Sequence, residues 1–321
     1  MSQAPATGAA ELLEQARSGD RRSLARLLSA VERGDDLGRA ASRAAFAIAG
    51  DAYTVGITGA PGAGKSTLTS ATVATARSRG ERVAVLAIDP SSPFTGGALL
   101  GDRTRMNDHA LDDGVFIRSM ATRGHLGGLA LATPEAVRVL DAAGFGWILV
   151  ETVGVGQVEV AVAGAADTTV VVVNPGWGDS VQANKAGLME VADVFAVNKA
   201  DRDGAEQTAH DLEGMLDLTR GHGDAGWRPP VVSTVGTTGE GTERLWDAIG
   251  AHRAHLEATG ELGRRRAARR REELELVVTQ RLRAAAEARL PESERAAIDD
   301  DLAAGRLDPW SAADRLLGDQ A

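Results

Sequence analysis

Hydrophobic and polar positions divide the chain into a helical beginning, a middle rich in strands and a helical end. Between 9 and 49, apolar residues recur at helical spacing, and Gly19 and Gly34 interrupt the pattern, which predicts about three helices. From 52 onward, short apolar runs alternate with helical stretches. The runs predict seven strands, at 53–58, 82–88, 114–118, 146–151, 168–173, 192–197 and 230–234.

Several predicted strands, such as 83–88 and 170–173, are apolar throughout and do not alternate between apolar and polar residues. Continuous apolar strands are typical of a parallel sheet that has helices on both faces. In such a sheet, ligands bind beyond the carboxyl ends of the strands. We therefore predict an α/β fold with a mostly parallel central sheet covered by helices on both faces, plus helical N- and C-terminal extensions.

After a closing helix at 242–257, the sequence stays helical and polar and contains the basic run 264–271. We interpret this run as a solvated helix face, partly paired with Glu272, Glu273 and Glu275, and a nucleic-acid or partner contact is the alternative. Beyond it lies an apolar stripe that needs a surface to pack on. The stripe consists of Leu274, Val277, Val278 and Leu282. Residues 265–321 could pack back on the domain or form an arm that contacts a second subunit, and we favour the arm.

Composition and charge narrow the class of protein. The net charge of −10 argues against non-specific binding to nucleic acid. The chain has no cysteine, which excludes disulfides and thiolate metal sites. It has neither a long apolar run that could span a membrane nor a signal-peptide pattern at its start. We expect a soluble cytoplasmic protein that binds neither nucleic acid nor membrane.

The first candidate for chemistry follows the strand predicted at 53–58 and precedes a helix. Its residues have the G-x-x-x-x-G-K-[ST] spacing of a phosphate-binding loop. They are Gly59, Ala60, Pro61, Gly62, Ala63, Gly64, Lys65, Ser66 and Thr67. The glycines let several backbone N–H groups point inward at a phosphate, and the start of the helix adds its positive end. We expect Lys65 to reach the β- and γ-phosphates and the Ser66 hydroxyl to bind Mg²⁺.

A second motif, Asn198-Lys199-Ala200-Asp201, follows the strand predicted at 192–197. It matches N-K-x-D, in which the Asp201 carboxylate can accept hydrogen bonds from N1–H and the N2 amine of guanine. Adenine lacks these donors, and an unpaired buried carboxylate is costly. We expect Asn198 to brace the phosphate loop and the stem of Lys199 to cover the base. The two motifs together predict a site for GTP or GDP.

Further acids follow other predicted strands and suit Mg²⁺. Glu151 ends the strand predicted at 146–151, in the place of the acid that helps hold Mg²⁺ in phosphoryl-transfer enzymes. Gly154, just beyond it, can donate its N–H to a γ-phosphate. Asp89 directly follows the strand predicted at 82–88, and Asp102 lies between that strand and the one predicted at 114–118. Both add carboxylates for direct or water-mediated binding of Mg²⁺, although a turn-capping role is the alternative for Asp89.

With these motifs, the chain resembles the MeaB/ArgK family of P-loop GTPases. The resemblance covers roughly residues 30–260 and predicts a P-loop NTPase fold with three parts: a helical arm at 1–50, a GTPase domain at 51–260 and a helical dimerisation arm at 261–321. It rests on GAPGAGKST at 59–67, DPSSPFTGGALLGDRTRM at 89–106, RSMATRGHLGGLA at 118–130, ETVGVGQVEV at 151–160, NPGWGDSVQANKAG at 174–187 and NKAD at 198–201.

The resemblance implies a function that spacing alone does not. Proteins of this family are homodimeric chaperones of adenosylcobalamin-dependent acyl-CoA mutases, usually methylmalonyl-CoA mutase. They use GTP hydrolysis to gate cofactor loading and to protect or reactivate the mutase, and the cobalamin is bound by the mutase and not by the GTPase. By the same resemblance, Mg²⁺ would be surrounded by Ser66, Asp89, Asp102 and Glu151. Hydrolysis is expected to be Mg²⁺-dependent and slow without the partner.

Two positions depart from the family pattern. The base-binding loop, often Ser-Ala-Leu, here reads Ser233, Thr234 and Val235, and we expect backbone N–H groups to preserve the guanine contact. By the same resemblance, 89–106 and 151–160 are nucleotide-sensing switches, and the second lacks the serine that commonly follows the glutamine, because Val158 follows Gln157. The residue that positions the attacking water therefore stays open between Asp89 and Gln157, with Lys65 as the other catalytic candidate.

Two other functions are alternatives. A metallocentre-assembly GTPase would deliver a metal itself, but the sequence shows no ligand cluster, and we expect structural or solvent-facing roles for His109 and His125. A kinase would transfer the γ-phosphate to a small molecule or a protein. The guanine motif argues against an ATP-dependent kinase.

Overall fold

The computed structural model describes residues 4–89, 109, 111–121, 126–152, 164–177, 187, 189–219 and 226–317. The chain separates into two compact units, Met1–Arg269 and Arg270–Ala321, which are described one at a time. Within the described residues, no helix is both long enough and apolar enough to cross a membrane.

The first unit begins with three helices, α1 (Ala4–Arg17), α2 (Arg21–Arg33) and α3 (Asp36–Phe46). The predicted breaks are confirmed. The Asp20 side chain caps the start of α2, Gly34 ends it in the left-handed conformation with φ 65°, and Asp35 caps α3. The apolar face of α2 is buried together with residues of the sheet, so these helices pack on the main domain.

Seven parallel strands form one sheet in the described part of the chain, in the order β3-β2-β4-β1-β5-β6-β7. They are β1 (Tyr53–Gly59), β2 (Val83–Asp89), β3 (Val115–Ala121), β4 (Trp147–Thr152), β5 (Thr168–Val173), β6 (Val194–Asn198) and β7 (Val231–Thr234). Every predicted strand is present. The fold class predicted from the apolar runs is therefore confirmed.

Among the described residues of the first unit, the sheet is also flanked by α4 (Lys65–Ser78), α5 (Leu126–Ala142), α6 (Ala205–Thr219) and α7 (Thr242–Ala258). Alternate residues of β5 belong to different hydrophobic clusters, on opposite faces of the sheet. Val172 packs with α4 and α7, whereas Val171 and Val173 pack with α6. Helices therefore cover both faces, which explains why the strands carry no polar face.

The basic run lies at the start of the long helix α8 (Glu261–Arg289) and binds the amino edge of the sheet. Arg266 donates to both carboxylate oxygens of Asp167, at 2.6 and 3.1 Å, and Arg269 pairs with the same carboxylate. Arg265 contacts Asp193 at 3.0 Å and Glu261 at 2.8 Å. The interpretation of the run as a solvated face is wrong for these three arginines, because they pair with buried acids that precede β5 and β6.

The second unit contains the rest of α8, then α9 (Glu292–Ala303) and α10 (Pro309–Leu317). Arg289 donates to the carbonyl oxygen of Leu317 at 2.5 Å, which ties the end of α8 to the end of α10. Three residues of the predicted apolar stripe on α8 are exposed in the single chain. Leu274 is 60% exposed, Val278 45% and Leu282 62%.

Candidate guanine-nucleotide site

The candidate site lies at the carboxyl edge of the sheet, where the predicted motifs converge. The phosphate loop connects β1 to α4, Glu151 lies near the end of β4, and Asn198 ends β6. Because β1 has β4 on one side and β5 on the other, the loop lies in the middle of the sheet. This is the place where parallel α/β sheets bind ligands.

The phosphate loop depends on its glycines. Gly59 has φ 139°, and a Cβ there would lie 2.0 Å from the carbonyl oxygen of Val172 on the neighbouring strand. Gly64 has φ 89° and starts α4 without a side-chain cap. The first N–H groups of α4 are therefore available to an anion, and the helix dipole favours one there.

Lys65 is buried at the base of this loop. Its Nζ donates to the carbonyl oxygens of Gly59 at 2.6 Å and Ala60 at 3.2 Å. These bonds hold the ammonium group against the backbone of the loop at the start of α4. A phosphate seated on the loop would meet a preplaced positive charge there.

The Ser66 hydroxyl donates to Oε1 of Glu151 at 2.5 Å, and the glutamate is 1% exposed. The contact follows from the sheet, because Glu151 pairs with Ile57 of β1 shortly before the loop. A hydroxyl and a carboxylate side by side are oxygen donors of the kind that Mg²⁺ prefers. The described residues contain no group of three or more His, Cys, Asp or Glu that could hold a metal ion, so this pair would need further ligands from nucleotide, water or other residues.

Asn198 joins the phosphate loop to the loop after β7. Its Nδ2 donates to the carbonyl oxygens of Ala63 at 2.9 Å and Gly64 at 3.4 Å. Its Oδ1 accepts from the N–H of Gly236 at 3.0 Å and the hydroxyl of Thr234 at 3.3 Å. The predicted brace is therefore present, and one buried side chain sets the spacing between the phosphate loop and the expected base-binding loop.

The rest of the N-K-x-D motif forms a turn beside the phosphate loop. Lys199, with φ 61°, donates from Nζ to the carbonyl oxygen of Gly62 at 2.6 Å. The N–H of Ala200 donates to the carbonyl oxygen of Thr234 at 3.0 Å, which fixes the turn against β7. Asp201 is exposed at the end of this turn. Its carboxylate is therefore accessible to a base edge.

The sequence reasoning missed Gly236. Ser233 and Thr234 are the last residues of β7, and Val235 pairs with Glu240 in a short bridge. Gly236, in this turn, is the residue whose N–H meets Asn198, and a Cβ there would lie 3.1 Å from the backbone nitrogen of Leu68. A glycine just beyond a strand end was the available signal.

Other predicted residues lie outside the part of the chain that the structure describes. Those residues are Asp102, His125, Gly154 and Gln157, together with the side chain of Asp89, whose backbone ends β2. His109 is described, and its Nε2 donates to the carbonyl oxygen of Ser70 on α4 at 3.0 Å. This bond agrees with the structural role expected for His109. The ligand roles of all the site residues stay predictions.

Comparison with known proteins gives the family. Residues 24–290 match the family model for the methylmalonyl-CoA mutase-associated GTPase MeaB. A Pyrococcus abyssi protein is 52% identical, with 96% of this chain and 95% of that protein aligned. The GTPase ArgK of Escherichia coli is 40% identical over 79% of this chain and 78% of its own length.

Two further relatives extend the comparison. The mouse mitochondrial methylmalonic aciduria type A homolog is 39% identical over 67% of this chain and 52% of its own length. The crystal structure of an LAO/AO transport system kinase is similar to this chain, with a TM-score of 0.71 and 28% sequence identity. The match covers 98% of this chain and 97% of that one. From the family match and these identities, the chain belongs to the MeaB family of P-loop GTPases.

Proposed function

We propose that this chain binds GTP and GDP with Mg²⁺, hydrolyses GTP, and acts as a chaperone of an adenosylcobalamin-dependent acyl-CoA mutase. Methylmalonyl-CoA mutase is the first candidate partner, because the matching family model and the mouse relative carry names that refer to methylmalonyl metabolism. In this role the GTPase gates cofactor loading and protects or reactivates the mutase. The cobalamin is bound by the mutase.

One observation carries the nucleotide part of the proposal. Asn198 bonds to the phosphate loop on one side and to Gly236 on the other, so the groups for phosphate and base have a fixed separation. A ligand that satisfies both must carry a phosphate chain and a base. Of the common bases, guanine presents to Asp201 the two donors that a carboxylate accepts.

Each side chain then has a definite task. Lys65 binds the β- and γ-phosphates, and Ser66 and Glu151 hold Mg²⁺, with Asp89 and Asp102 as further ligands. Bound Mg²⁺ supplies neutralisation of the charge that develops on the phosphates. The protein supplies position, which is the main requirement of phosphoryl transfer.

The residue that positions the attacking water is proposed to be Asp89 or Gln157, and substitution separates them. Of Asp89→Ala and Gln157→Ala, we expect the variant of the water-positioning residue to lower basal and mutase-stimulated turnover at saturating Mg²⁺, with unchanged GDP affinity and an unchanged Mg²⁺ requirement. A raised Mg²⁺ requirement in Asp89→Ala would instead identify Asp89 as a metal ligand. If both variants keep wild-type turnover, neither residue positions the water.

The second unit supports the proposed homodimer. Leu274, Val278 and Leu282 lie four residues apart on α8, so they share one helix face, and all three are exposed in the single chain. A second copy of the chain is the proposed cover for this face. Leu274→Ser with Leu282→Ser should give a monomer in light scattering, whereas Leu218→Ser, an exposed leucine on α6, should leave the dimer intact.

The partner is tested directly with purified apo mutases. GTP turnover is measured alone and with a panel of acyl-CoA mutases that act on methylmalonyl-, isobutyryl-, ethylmalonyl- and hydroxyisobutyryl-CoA. We expect one mutase to raise turnover well above the basal rate and to gain cobalamin in a GTP-dependent manner. Turnover that no mutase changes would contradict the chaperone role and leave the GTPase assignment intact.

A further inference from the structure

A cavity of about 600 Å³ lies at the amino edge of the sheet, opposite the nucleotide site. It is lined by the turn between α1 and α2 and by residues that precede or begin β2, β3 and β4. Its volume falls in the range of small-molecule pockets, about 300–1,000 Å³. The proposed nucleotide function uses none of these residues.

Two arginines in the lining rest on aromatic rings. The guanidinium carbon of Arg82 lies 4.7 Å from the ring centroid of Phe145, and that of Arg21 lies 5.8 Å from that of Phe116. The two rings are 6.1 Å apart, so they form one aromatic wall between the arginines. Stacking on an aromatic face holds the planar guanidinium group in a defined position.

These arginines have donors to spare. Among the described residues, Arg82 donates one side-chain hydrogen bond, to the carbonyl oxygen of Gly144 at 3.1 Å, and Arg21 donates one, to that of Asp112 at 3.1 Å. Neither forms an ion pair with a carboxylate in that part of the chain. A guanidinium group has five N–H donors, so most of the hydrogen-bonding capacity of both groups is left for a ligand.

The other arginines of the lining are paired with carboxylates. Arg77 pairs with both oxygens of Asp112, and Arg17 pairs with Glu14. The carboxylate of Asp20 accepts from the N–H groups of Arg22 and Ser23 at the start of α2. Those N–H groups are neutral, so Asp20 keeps its negative charge. Among the described lining residues, Arg21 and Arg82 therefore face two carboxylates that form no ion pair, those of Asp20 and Asp113.

We propose that this cavity is a second ligand site, which binds a small molecule through a phosphate group. Two guanidinium groups fixed on aromatic rings suit a phosphate, because its oxygens accept several charge-assisted hydrogen bonds at once. The aromatic wall offers an apolar surface to the organic part of a phosphate ester. Because the cavity lies at the opposite edge of the sheet from the phosphate loop, the ligand does not compete with the nucleotide.

The test uses the full chain saturated with GDP and Mg²⁺, so that the phosphate loop is occupied. Inorganic phosphate and ribose 5-phosphate are titrated separately by calorimetry, at constant ionic strength, to distinguish free phosphate from a phosphate ester. We expect binding of at least one of the two. Arg21→Gln with Arg82→Gln should weaken it by about tenfold or more, and Asp113→Asn should tighten it by removing one of the two carboxylates that repel a phosphate.

Arg43→Gln is the matched control, because Arg43 is an exposed arginine on α3 outside the cavity, and it should leave binding unchanged. GDP affinity reports whether each variant is folded, and the single variants Arg21→Gln and Arg82→Gln replace the double variant if it loses GDP binding. The proposal is overturned if neither probe binds the wild-type protein, if the arginine variants bind as tightly as wild type, or if Asp113→Asn weakens binding.

Discussion

Asp167, the buried acid that pairs with Arg266 and Arg269 of the basic run, gives a prediction whose size follows from the structure. Asp167 is 1% exposed and accepts hydrogen bonds from Arg266 and from the N–H of Thr54, and it pairs with Arg269. Asp167→Asn keeps the shape and removes the charge. Arg266 and Arg269 then lie against a neutral amide whose NH₂ group cannot accept from them.

Breaking a buried ion pair by removing one partner costs about 3–5 kcal/mol. Arg266 and Arg269 are still 24% and 21% exposed, so water compensates them in part, and we expect the lower end, about 3 kcal/mol. For a unit of this size, about 2–4 °C of melting temperature is lost per kcal/mol, so the midpoint should fall by about 6–12 °C.

Thermal melting and urea unfolding at pH 7 are both followed by tryptophan fluorescence, so that the melting temperature and the urea midpoint are measured on the same variants. Asp217→Asn is the matched control, because Asp217 pairs with Arg228 at the surface and is 69% exposed, and exposed pairs contribute about 0–1 kcal/mol. If the two variants unfold at the same urea concentration, the ion pairs between Asp167 and α8 do not stabilise the protein as argued.

The same residue predicts a pH dependence. Burial by itself would raise the pKa of the Asp167 carboxyl, but the hydrogen bond from Arg266 and the charge of Arg269 outweigh burial and hold that pKa below its ordinary value. Its contribution is therefore fully present above the unfolded pKa of about 3.9 and is lost as the pH falls through the lower folded value. The difference in unfolding free energy between wild type and Asp167→Asn should stay constant from neutral pH down to the unfolded pKa of about 3.9 and should shrink as the pH falls further.

Three further predictions concern the site and the core. Asn198→Ala removes bonds to the phosphate loop and to Gly236, worth about 0.5–1.5 kcal/mol each, so GTP affinity by calorimetry should fall about tenfold or more, and an unchanged affinity would refute the brace. Glu151→Gln keeps an acceptor for Ser66 and loses the charge, so GTP turnover should need more Mg²⁺ for half-saturation, and an unchanged requirement would remove Glu151 from the metal site. Burial, with the charges of Arg265 and His255, lowers the pKa of His252 to about 4. The unfolded state therefore binds a proton that the folded state does not, and the wild-type protein should lose stability as the pH falls from about 6.5 toward 4. His252→Gln should lose less stability over this range in unfolding curves, and an equal loss would contradict the lowered pKa.

The sheet could be predicted because its signal is local. Each strand contains a short apolar run, and burial on both faces makes runs such as 83–88 and 170–173 uniformly apolar. The helix breaks at Gly34 and Asp35 were also local, because caps and left-handed turns require particular residues. The order of the strands was not predicted, since it depends on which strands meet after long connections.

The partners of the charged residues could not be predicted. Asp167 and Arg266 are 99 residues apart. The sequence of a basic helix does not show whether its arginines pair with a distant buried acid or with the exposed glutamates nearby. The brace by Asn198 was predictable because it belongs to a motif with a known mechanism. Gly236 belongs to no such motif, and its position just beyond a strand end marks a turn without indicating that its N–H meets Asn198.

The central claim is that this site binds guanine nucleotide, with Asp201 selecting the base. The most direct measurement compares wild type with Asp201→Asn in their affinities for GTP, ATP and xanthosine triphosphate. Asp201 is exposed, so the substitution should not disturb folding. Xanthine has a carbonyl where guanine has its amine, so an amide donor suits it better than a carboxylate. We expect wild type to prefer GTP over both other nucleotides and Asp201→Asn to prefer xanthosine triphosphate. Equal binding of GTP and ATP by wild type, or an unchanged GTP preference in the variant, would contradict the claim.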